Sequence, residues 1–156
     1  SDIELVMNLQ GDEPLMNIED IKNLNYHMIE TKSKMGTLAS KIIDKDFYEN
    51  QNIVKVITKE NLDYSKFSQA LNFTRESKDI IKNTYHHLGI YCYQIDTLKN
   101  FVSYNQSKNE IQNKLEQLRA LDNNIDINVA LSKSSPIGVD TEEDFIAIKK
   151  IMEYKS

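Results

Sequence analysis

The chain has 156 residues, of which 40% are hydrophobic, and a formal net charge of −5. This is enough apolar content for one core, so residues 1–156 are predicted to form a single domain or part of one. The lysines are spread evenly and make no basic face, which argues against nucleic acid as a partner. No apolar run reaches the roughly 18 residues of a membrane helix, and the N-terminus does not resemble a signal peptide, so we expect a soluble, cytoplasmic protein.

Strand-like and helix-like segments alternate along the chain, which predicts an α/β fold. The apolar run from Ile3 to Leu9 predicts a buried first strand, and "NLQGDEP" follows at the end where open α/β sheets bind ligands. Asn17 is then predicted to cap a helix whose first turn carries acids. The apolar positions of this helix recur at helical spacing: Ile18, Ile21, Leu24 and Met28.

The later segments continue the alternation. Strands are predicted at "MGTLAS", "NIVKVIT", "ALNFTR", "HLGIYCY" and "INVAL", and "DTLKNFVSY" predicts a short helix. Thr141, with Asp144 three residues on, predicts the start of the last helix. Residues 44–52 and 76–84 are polar and weakly patterned. A longer helix is predicted from an apolar stripe, namely Ile111, Leu115, Leu118 and Leu121.

Cysteine and glycine are both scarce. The single cysteine, Cys92, lies in the apolar stretch "GIYCYQI", so it is predicted to be a buried core thiol with no disulfide partner in the chain. Scarce glycines tend to mark tight turns or contact with a ligand. The four glycines are Gly11, Gly36, Gly89 and Gly138, and the first and last stand beside acids at predicted element ends.

The motifs "NLQGDEP", "MGTLA", "NIVKVIT", "ALNFTR", "HLGIYCY", "LEQLRAL" and "GVDTEED" occur in this order from residue 5 to about residue 150. In order and spacing the set resembles the 3-deoxy-D-manno-octulosonate (Kdo) cytidylyltransferases. The resemblance implies a Rossmann-like nucleotidyltransferase fold, with a mixed sheet flanked by helices. It also implies a homodimeric enzyme that uses Mg²⁺ to transfer CMP from CTP to Kdo, releasing pyrophosphate, for lipopolysaccharide synthesis.

The resemblance also implies roles for individual residues. Asp12 and Asp140 resemble the catalytic acids that bind Mg²⁺, and paired carboxylates suit this hard cation. Gln10 and Gly11 resemble the nucleotide-binding residues. The implied reaction is in-line attack of the sugar hydroxyl on the α-phosphorus of CTP, which needs no covalent enzyme residue. The residues that resemble the sugar-acid pocket are Arg75, His87, Tyr91, Glu116 and Gln117.

The residues alone leave plainer interpretations open. Asp12 could be a first-turn acid, His87 an ordinary strand-end histidine, and Glu116 a solvated helix residue. Without the resemblance, the patterning predicts only an α/β protein that could hold a two-carboxylate metal site.

The sequence also departs from the family pattern. The family's first strand and its basic, glycine-containing triphosphate loop have no counterpart, so the fold is expected to be truncated at the N-terminus. The proline-containing segment after Arg75 is missing, and Asn113 stands where a glutamate is usual. One hypothesis is therefore a portion of a working enzyme, cut from a longer chain or completed by another polypeptide. A second is a non-catalytic relative that self-associates through residues 94–107, and a third is a cytidylyltransferase for another sugar acid, such as a sialic acid.

Overall fold

The computed structural model describes residues 4–9, 18–42, 45–76 and 82–133. Within these ranges the chain forms both strands and helices, as the patterning predicts, but three strands and then three helices follow one another without alternation. The strands are β1 (Leu5–Leu9), β2 (Met35–Ser40), β3 (Lys55–Thr58), β4 (Phe67–Thr74), β5 (Thr84–Gln94) and β6 (Ile127–Leu131). The helices are α1 (Ile18–Thr31), α2 (Lys45–Glu49), α3 (Ile95–Ser103), α4 (Lys108–Asn113) and α5 (Leu118–Asp122).

The strands form one mixed sheet in the order β1-β5-β2-β6-β4-β3. Among the described strands, only the β2–β6 pair is parallel, and β1, β2 and β3 all run antiparallel to β5. Since β3 pairs with β4 on one side and with β5 on the other, the pairings β5-β2-β6-β4-β3 close into a ring. The eleven-residue β5 is thus the common partner of three strands.

Two apolar clusters lie against the sheet. Alternate residues of β2 divide between them, as strand geometry requires: Met35 and Ala39 belong to one cluster and Leu38 to the other. Helix α1 covers the smaller cluster with Leu24 and Met28, both fully buried. The larger cluster includes residues from α3 and α5 together with most of the buried aromatic side chains.

Gly36 permits the close packing of α1 on β2. A Cβ atom at this position would stand 2.7 Å from Met28 Sδ and 2.7 Å from Phe67 Cζ, closer than real Cβ contacts. Gly36 therefore lies inside a strand and permits close packing of core side chains, where the sequence pattern predicted a tight turn or contact with a ligand.

Several sequence-based boundaries need correction. Ile18, predicted to lie on the apolar face of α1, is 66% exposed. The single helix predicted from Ile111 to Leu121 is two short helices, because Lys114 adopts left-handed backbone angles and ends α4. Strand β3 begins three residues later than predicted and β4 three residues earlier, and α2 lies in a region that was given no element. Ile3, Asn17 and the predicted last helix lie outside the described residues.

None of the helices within the described ranges combines the length and the apolar character needed to cross a bilayer.

Candidate functional site

Four of the described strands end at the same edge of the sheet. Because β1, β2 and β3 all run antiparallel to β5, and β6 runs parallel to β2, the carboxyl ends of β1, β2, β3 and β6 share one edge. The residues that follow β6 at this edge are hydrogen-bonded to Asp20, a buried residue in the first turn of α1. Its carboxylate accepts hydrogen bonds from the Ser132 hydroxyl and, at 3.0 Å, from the Lys133 amide.

His87 lies near this edge in the first half of β5 and is almost fully buried. Its Nε2 is 2.9 Å from the hydroxyl oxygen of Thr37 on β2. The same hydroxyl oxygen is 2.6 Å from the carbonyl oxygen of Ile90. The hydroxyl has one proton and a carbonyl can only accept, so we assign that proton to the shorter contact with Ile90. His87 then donates its Nε2–H to Thr37, and its Nδ1 carries the lone pair.

Burial lowers the pKa of His87 to about 3, with a further contribution from neighbouring His86. The pKa of His86 is also lowered, to about 4, by burial and by the charge of Lys55. Both imidazoles are therefore neutral near pH 7, and His87 acts there as a hydrogen-bonding group without charge.

A bulge in β5 produces the Thr37 contacts. The pairing of β2 with β5 steps from Thr37↔Tyr91 to Leu38↔Leu88, so two residues of β5, Gly89 and Ile90, have no counterpart on β2. Bulges of this kind redirect side chains and are frequent beside functional sites. Here the bulge brings His87 and Tyr91 together, with their ring centroids 5.3 Å apart.

Tyr91 is part of a row of aromatic rings across the larger cluster. Adjacent ring centroids in this row are 4.9 to 6.1 Å apart, a range that suits stacked and edge-to-face contacts. The row consists of Phe73, His87, Tyr91, Tyr93 and Phe101, in that order.

Glu116 and Gln117 lie at the junction between α4 and α5. Glu116 is exposed, whereas Gln117 is buried and precedes the first residue of α5. Burial raises the pKa of Tyr93, and the negative charge of Glu116 raises it further. The charge of Glu116 is thus one cause of the raised pKa of Tyr93, a ring of this row.

Arg75, the residue that follows β4, contacts the main chain of Lys114, which ends α4 just before this junction. Its guanidinium donates long hydrogen bonds, both 3.4 Å, to the carbonyl oxygens of Asn52 and Lys114. Within the described part of the chain, these contacts direct the Arg75 side chain to main-chain carbonyls. It therefore supports the segment that carries Glu116.

An open groove of about 500 Å³ borders the same junction and includes Glu116 in its lining. One wall is the ion pair of Glu110 and Arg119, in which two hydrogen bonds of 2.9 and 2.6 Å join guanidinium and carboxylate. The Arg119 guanidinium also lies 4.9 Å from the ring centroid of Phe101, at the end of the aromatic row. The pair thus joins the groove to the core.

The expected nucleotide and metal residues, Gln10, Gly11, Asp12 and Asp140, lie outside the described residues. What the structure gives is the direction of the strands that precede them: β1 and β6 end at one edge, with Asp12 and Asp140 following in the chain. Two carboxylates are the ligands that Mg²⁺ prefers, so the donor chemistry fits this ion. Across residues 4–9, 18–42, 45–76 and 82–133, no three His, Cys, Asp or Glu side chains gather into a metal site.

The structure therefore brings together part of the expected sugar-acid pocket. His87 and Tyr91 are in contact, Glu116 is coupled to the next ring of the row, and Arg75 contacts the residue two positions before Glu116. Gln117 joins this group by position in the chain. The contacts join His87 to Tyr91 and Arg75 to Lys114, and the grouping of all five residues in one pocket stays a prediction.

Two important residues of this region were missed by the sequence interpretation, although both stand inside quoted motifs. Thr37 lies in "MGTLA" and Lys55 in "NIVKVIT", and both side chains are fully buried. The available signal was a polar residue inside an otherwise apolar strand, since such a residue needs a buried hydrogen-bond partner.

The chain matches known proteins over most of its length. A family profile described as "Cytidylyltransferase" matches residues 1–127. A 3-deoxy-manno-octulosonate cytidylyltransferase from Thermodesulfovibrio yellowstonii is 42% identical over 153 residues, which cover 95% of this chain and 60% of that protein. The enzyme of the same name from Bartonella tribocorum is 36% identical over 148 residues, covering 94% of this chain and 60% of that protein. The chain thus spans about 60% of the length of these relatives.

Solved structures give the same fold. A CMP:2-keto-3-deoxy-manno-octonic acid synthetase complexed with CTP superimposes with a TM-score of 0.81 at 28% identity, over 97% of this chain and 63% of that one. An apo UDP-glucose pyrophosphorylase superimposes with a TM-score of 0.66 at 11% identity, over 97% of this chain and 55% of that one, and this match concerns the fold alone. The expected nucleotidyltransferase fold, a mixed sheet flanked by helices, is confirmed.

Proposed function

The chain belongs to the cytidylyltransferase family, and from this premise we propose that it takes part in the transfer of CMP from CTP to Kdo, with release of pyrophosphate. The observation that carries the proposal is the identity of 36 to 42% to enzymes of that name over nearly the whole chain. The contact between His87 and Tyr91 supports it, because both are expected sugar-acid residues.

In the proposed reaction, the anomeric oxygen of the sugar forms a bond to the α-phosphorus of CTP while the bond from that phosphorus to the bridging oxygen breaks. Pyrophosphate is the leaving group, and the hydroxyl proton passes to solvent. Gln10 and Gly11 are proposed to contact the nucleotide. Asp12 and Asp140 would hold a magnesium ion, which supplies neutralisation of phosphate charge and a lower pKa of the attacking hydroxyl.

The described side chains are proposed to bind and orient the sugar acid. Glu116 is exposed and offers acceptor oxygens to sugar hydroxyls, while neutral His87 and Tyr91 form the wall behind it. Arg75 supplies positive charge on the same side for an anionic group. Such preorganised contacts act by holding the attacking oxygen in line with the phosphorus.

The cellular setting follows as part of the same proposal. CMP-Kdo made in the cytoplasm would supply lipopolysaccharide assembly, and the active form would be a homodimer. Residues 94–107 are proposed to contribute to the dimer interface. In support, Val102 on α3 is 66% exposed although it is a large apolar residue, and Ile111 on neighbouring α4 is 60% exposed.

The test is pyrophosphate release from CTP in the presence of Mg²⁺ and a sugar acid. The chain is assayed alone and together with the part of the Thermodesulfovibrio relative that it does not match, with Asp12→Asn as the inactive control. Release that requires Kdo and disappears in Asp12→Asn supports the proposal. Equal release with N-acetylneuraminate would assign another sugar acid, and a folded protein that is inactive in both mixtures would overturn the enzymatic function.

A further inference from the structure

Lys55 is a buried cation at the first position of β3. None of its surface is exposed, and its strand neighbours Val54 and Val56 belong to the apolar core. Lysine is rarely buried without compensating partners, because removing the ammonium group from water is costly. A specific set of contacts must therefore compensate for its position.

Those contacts are main-chain oxygens from two separate segments. The Lys55 ammonium donates to the carbonyl oxygen of Asn50 at 2.6 Å and to that of Arg75 at 2.7 Å. The Asn50 oxygen also accepts from the Ile53 amide at 3.1 Å, so it belongs to the turn that leads into β3. One side chain thus joins this turn to the end of β4.

The electrostatic surroundings do not explain the lysine. Its charge lies near the Arg75 guanidinium and opposite His86 across the β3–β5 ladder. Burial and the Arg75 charge lower the pKa of Lys55. Among the residues that the structure describes, the interactions that favour the Lys55 ammonium group are therefore its two carbonyl contacts.

These contacts lie beside the main-chain supports of three residues of the proposed sugar-acid pocket. Lys55 holds the backbone of Arg75, and the Arg75 side chain contacts the carbonyl oxygen of Lys114, just before Leu115 and Glu116. On the other side, Lys55 pairs with His86 in the sheet, and the adjacent Val54 carbonyl accepts the amide of His87 at 2.9 Å. Lys55 therefore lies where the supports of Arg75, Glu116 and His87 meet.

We propose that Lys55 is a positioning residue for the sugar-acid pocket, since its ammonium group fixes the backbone of Arg75 against residues 50–53 and thereby the α4–α5 junction that carries Glu116. The inference rests on the proposed function. In this inference Lys55 does not contact the substrate. Arg75 supplies positive charge and also supports the backbone at Lys114.

The first test is steady-state kinetics of Lys55→Met in the preparation that is active in the pyrophosphate assay. This change removes the ammonium group and keeps an apolar stem. The KM for the sugar acid should rise roughly ten- to hundredfold, the effect typical of misplaced binding groups. The KM for CTP should stay within about twofold of the wild-type value, because only one substrate's site is disturbed. Lys59→Met, at an exposed lysine just after β3, is the control and should leave both values unchanged.

Hydrogen exchange gives a second readout that does not need activity. Lys55→Met should speed amide exchange at residues 114–119 and at His87, and leave α1 and β1 unchanged. Arg75→Met should speed exchange at 114–119 as well, and the double variant should add little to the two single changes there. If Lys55→Met does not fold, Arg75→Met alone must still show the local effect at 114–119.

The outcomes separate the inference from the function on which it rests. No pyrophosphate release by the unaltered protein refutes the proposed function, whereas the exchange pattern still judges the positioning role of Lys55. Uniformly faster exchange, or equal changes in both KM values, would assign Lys55 a purely structural role and overturn the inference.

Discussion

The hydroxyl of Thr37 joins β2 to β5 at the ring of His87 and at the carbonyl group of Ile90, a residue of the bulge. A single buried oxygen therefore fixes both the tautomer of the histidine and the local shape of the strand.

Thr37→Val should test this relationship, because it keeps the side-chain volume and removes the hydroxyl. The Ile90 carbonyl and the His87 ring would both lose a buried partner, and we expect the free energy of unfolding to fall by about 1–3 kcal/mol. Urea unfolding measures the change. Thr74→Val, at a half-buried threonine of β4, is the matched control and should cost within about 0.5 kcal/mol. Equal losses in the two variants would show that the Thr37 contacts add nothing specific.

Acid should destabilise the protein through His86 and His87. Their folded-state pKa values, about 4 and about 3, lie below the ordinary value of 6.5, so the unfolded chain binds more protons. Their contribution is fully present above pH 6.5 and is lost as the pH falls towards the folded-state values. Each histidine adds up to about 1.4 kcal/mol per pH unit to the slope. Urea unfolding of wild type and His87→Gln between pH 7 and pH 4 should give a shallower slope for the variant, and identical slopes would contradict the assignment.

Asp20 should stabilise the residues that follow β6, Ser132 and Lys133. Asp20→Ala removes the acceptor of both the Ser132 hydroxyl and the Lys133 amide, leaving two polar groups near the core without this partner. We expect a loss of about 2–3 kcal/mol in the free energy of unfolding, the range for hydrogen bonds to a charged group. Glu19→Ala changes the neighbouring acid, which is exposed and 3.9 Å from Lys22, and should cost under about 1 kcal/mol. The experiment fails to support the role of Asp20 if the two variants unfold alike.

Cys92 should be chemically inert in the folded protein. Its side chain is fully buried, and burial raises the pKa of the thiol to about 11, so almost no thiolate is present at pH 8. Labelling by a thiol reagent should therefore require unfolding, and its rate should rise with urea in step with the loss of helical circular dichroism. Rapid labelling without urea would contradict the burial of Cys92.

Replacing either of the two proposed magnesium ligands should lower turnover. Asp12→Asn and Asp140→Asn should each lower kcat at least about a hundredfold, because the charge that faces the triphosphate metal complex is halved. Higher Mg²⁺ should restore part of the activity in each variant. Glu13→Gln, beside Asp12 in the sequence, is the control. Full activity of either aspartate variant at low Mg²⁺ would remove that residue from the metal site.

Strongly patterned segments could be predicted from the sequence. Strands β2 and β6 match the predicted "MGTLAS" and "INVAL", and α3 matches the predicted short helix to within one residue. Cys92 lies in the core as expected. These segments have short-range patterns that agree with their tertiary positions, so local reasoning was enough.

The break at Lys114 could not be predicted in the same way. Leu115, Leu118 and Leu121 keep helical spacing and all pack towards the core, so the apolar stripe is the same for one helix or for two. What ends α4 is the left-handed conformation of Lys114, whose carbonyl contacts Arg75, 39 residues earlier. A contact so distant in sequence leaves no periodic signal.

In the candidate site, too, some residues could be predicted from the sequence and others could not. Residue identities in the motifs pointed to His87, Tyr91 and Glu116, and the structure brings the first two into contact. The supports of the site, Thr37 and Lys55, act through contacts between strands, and these become visible only when the strand register is known.

The three pairings of β5 also bear on how the protein folds. The partners of β5 stand at very different distances along the chain: β3 about 30 residues away, β2 about 50 and β1 about 85. Contacts between such distant residues must close long loops before they gain any stabilising energy, which slows folding. The hairpin-like pairing with β3 should therefore form first, and β1 should join last. The strand that carries His87 would then acquire its register from β3 before the remainder of the sheet assembles around it.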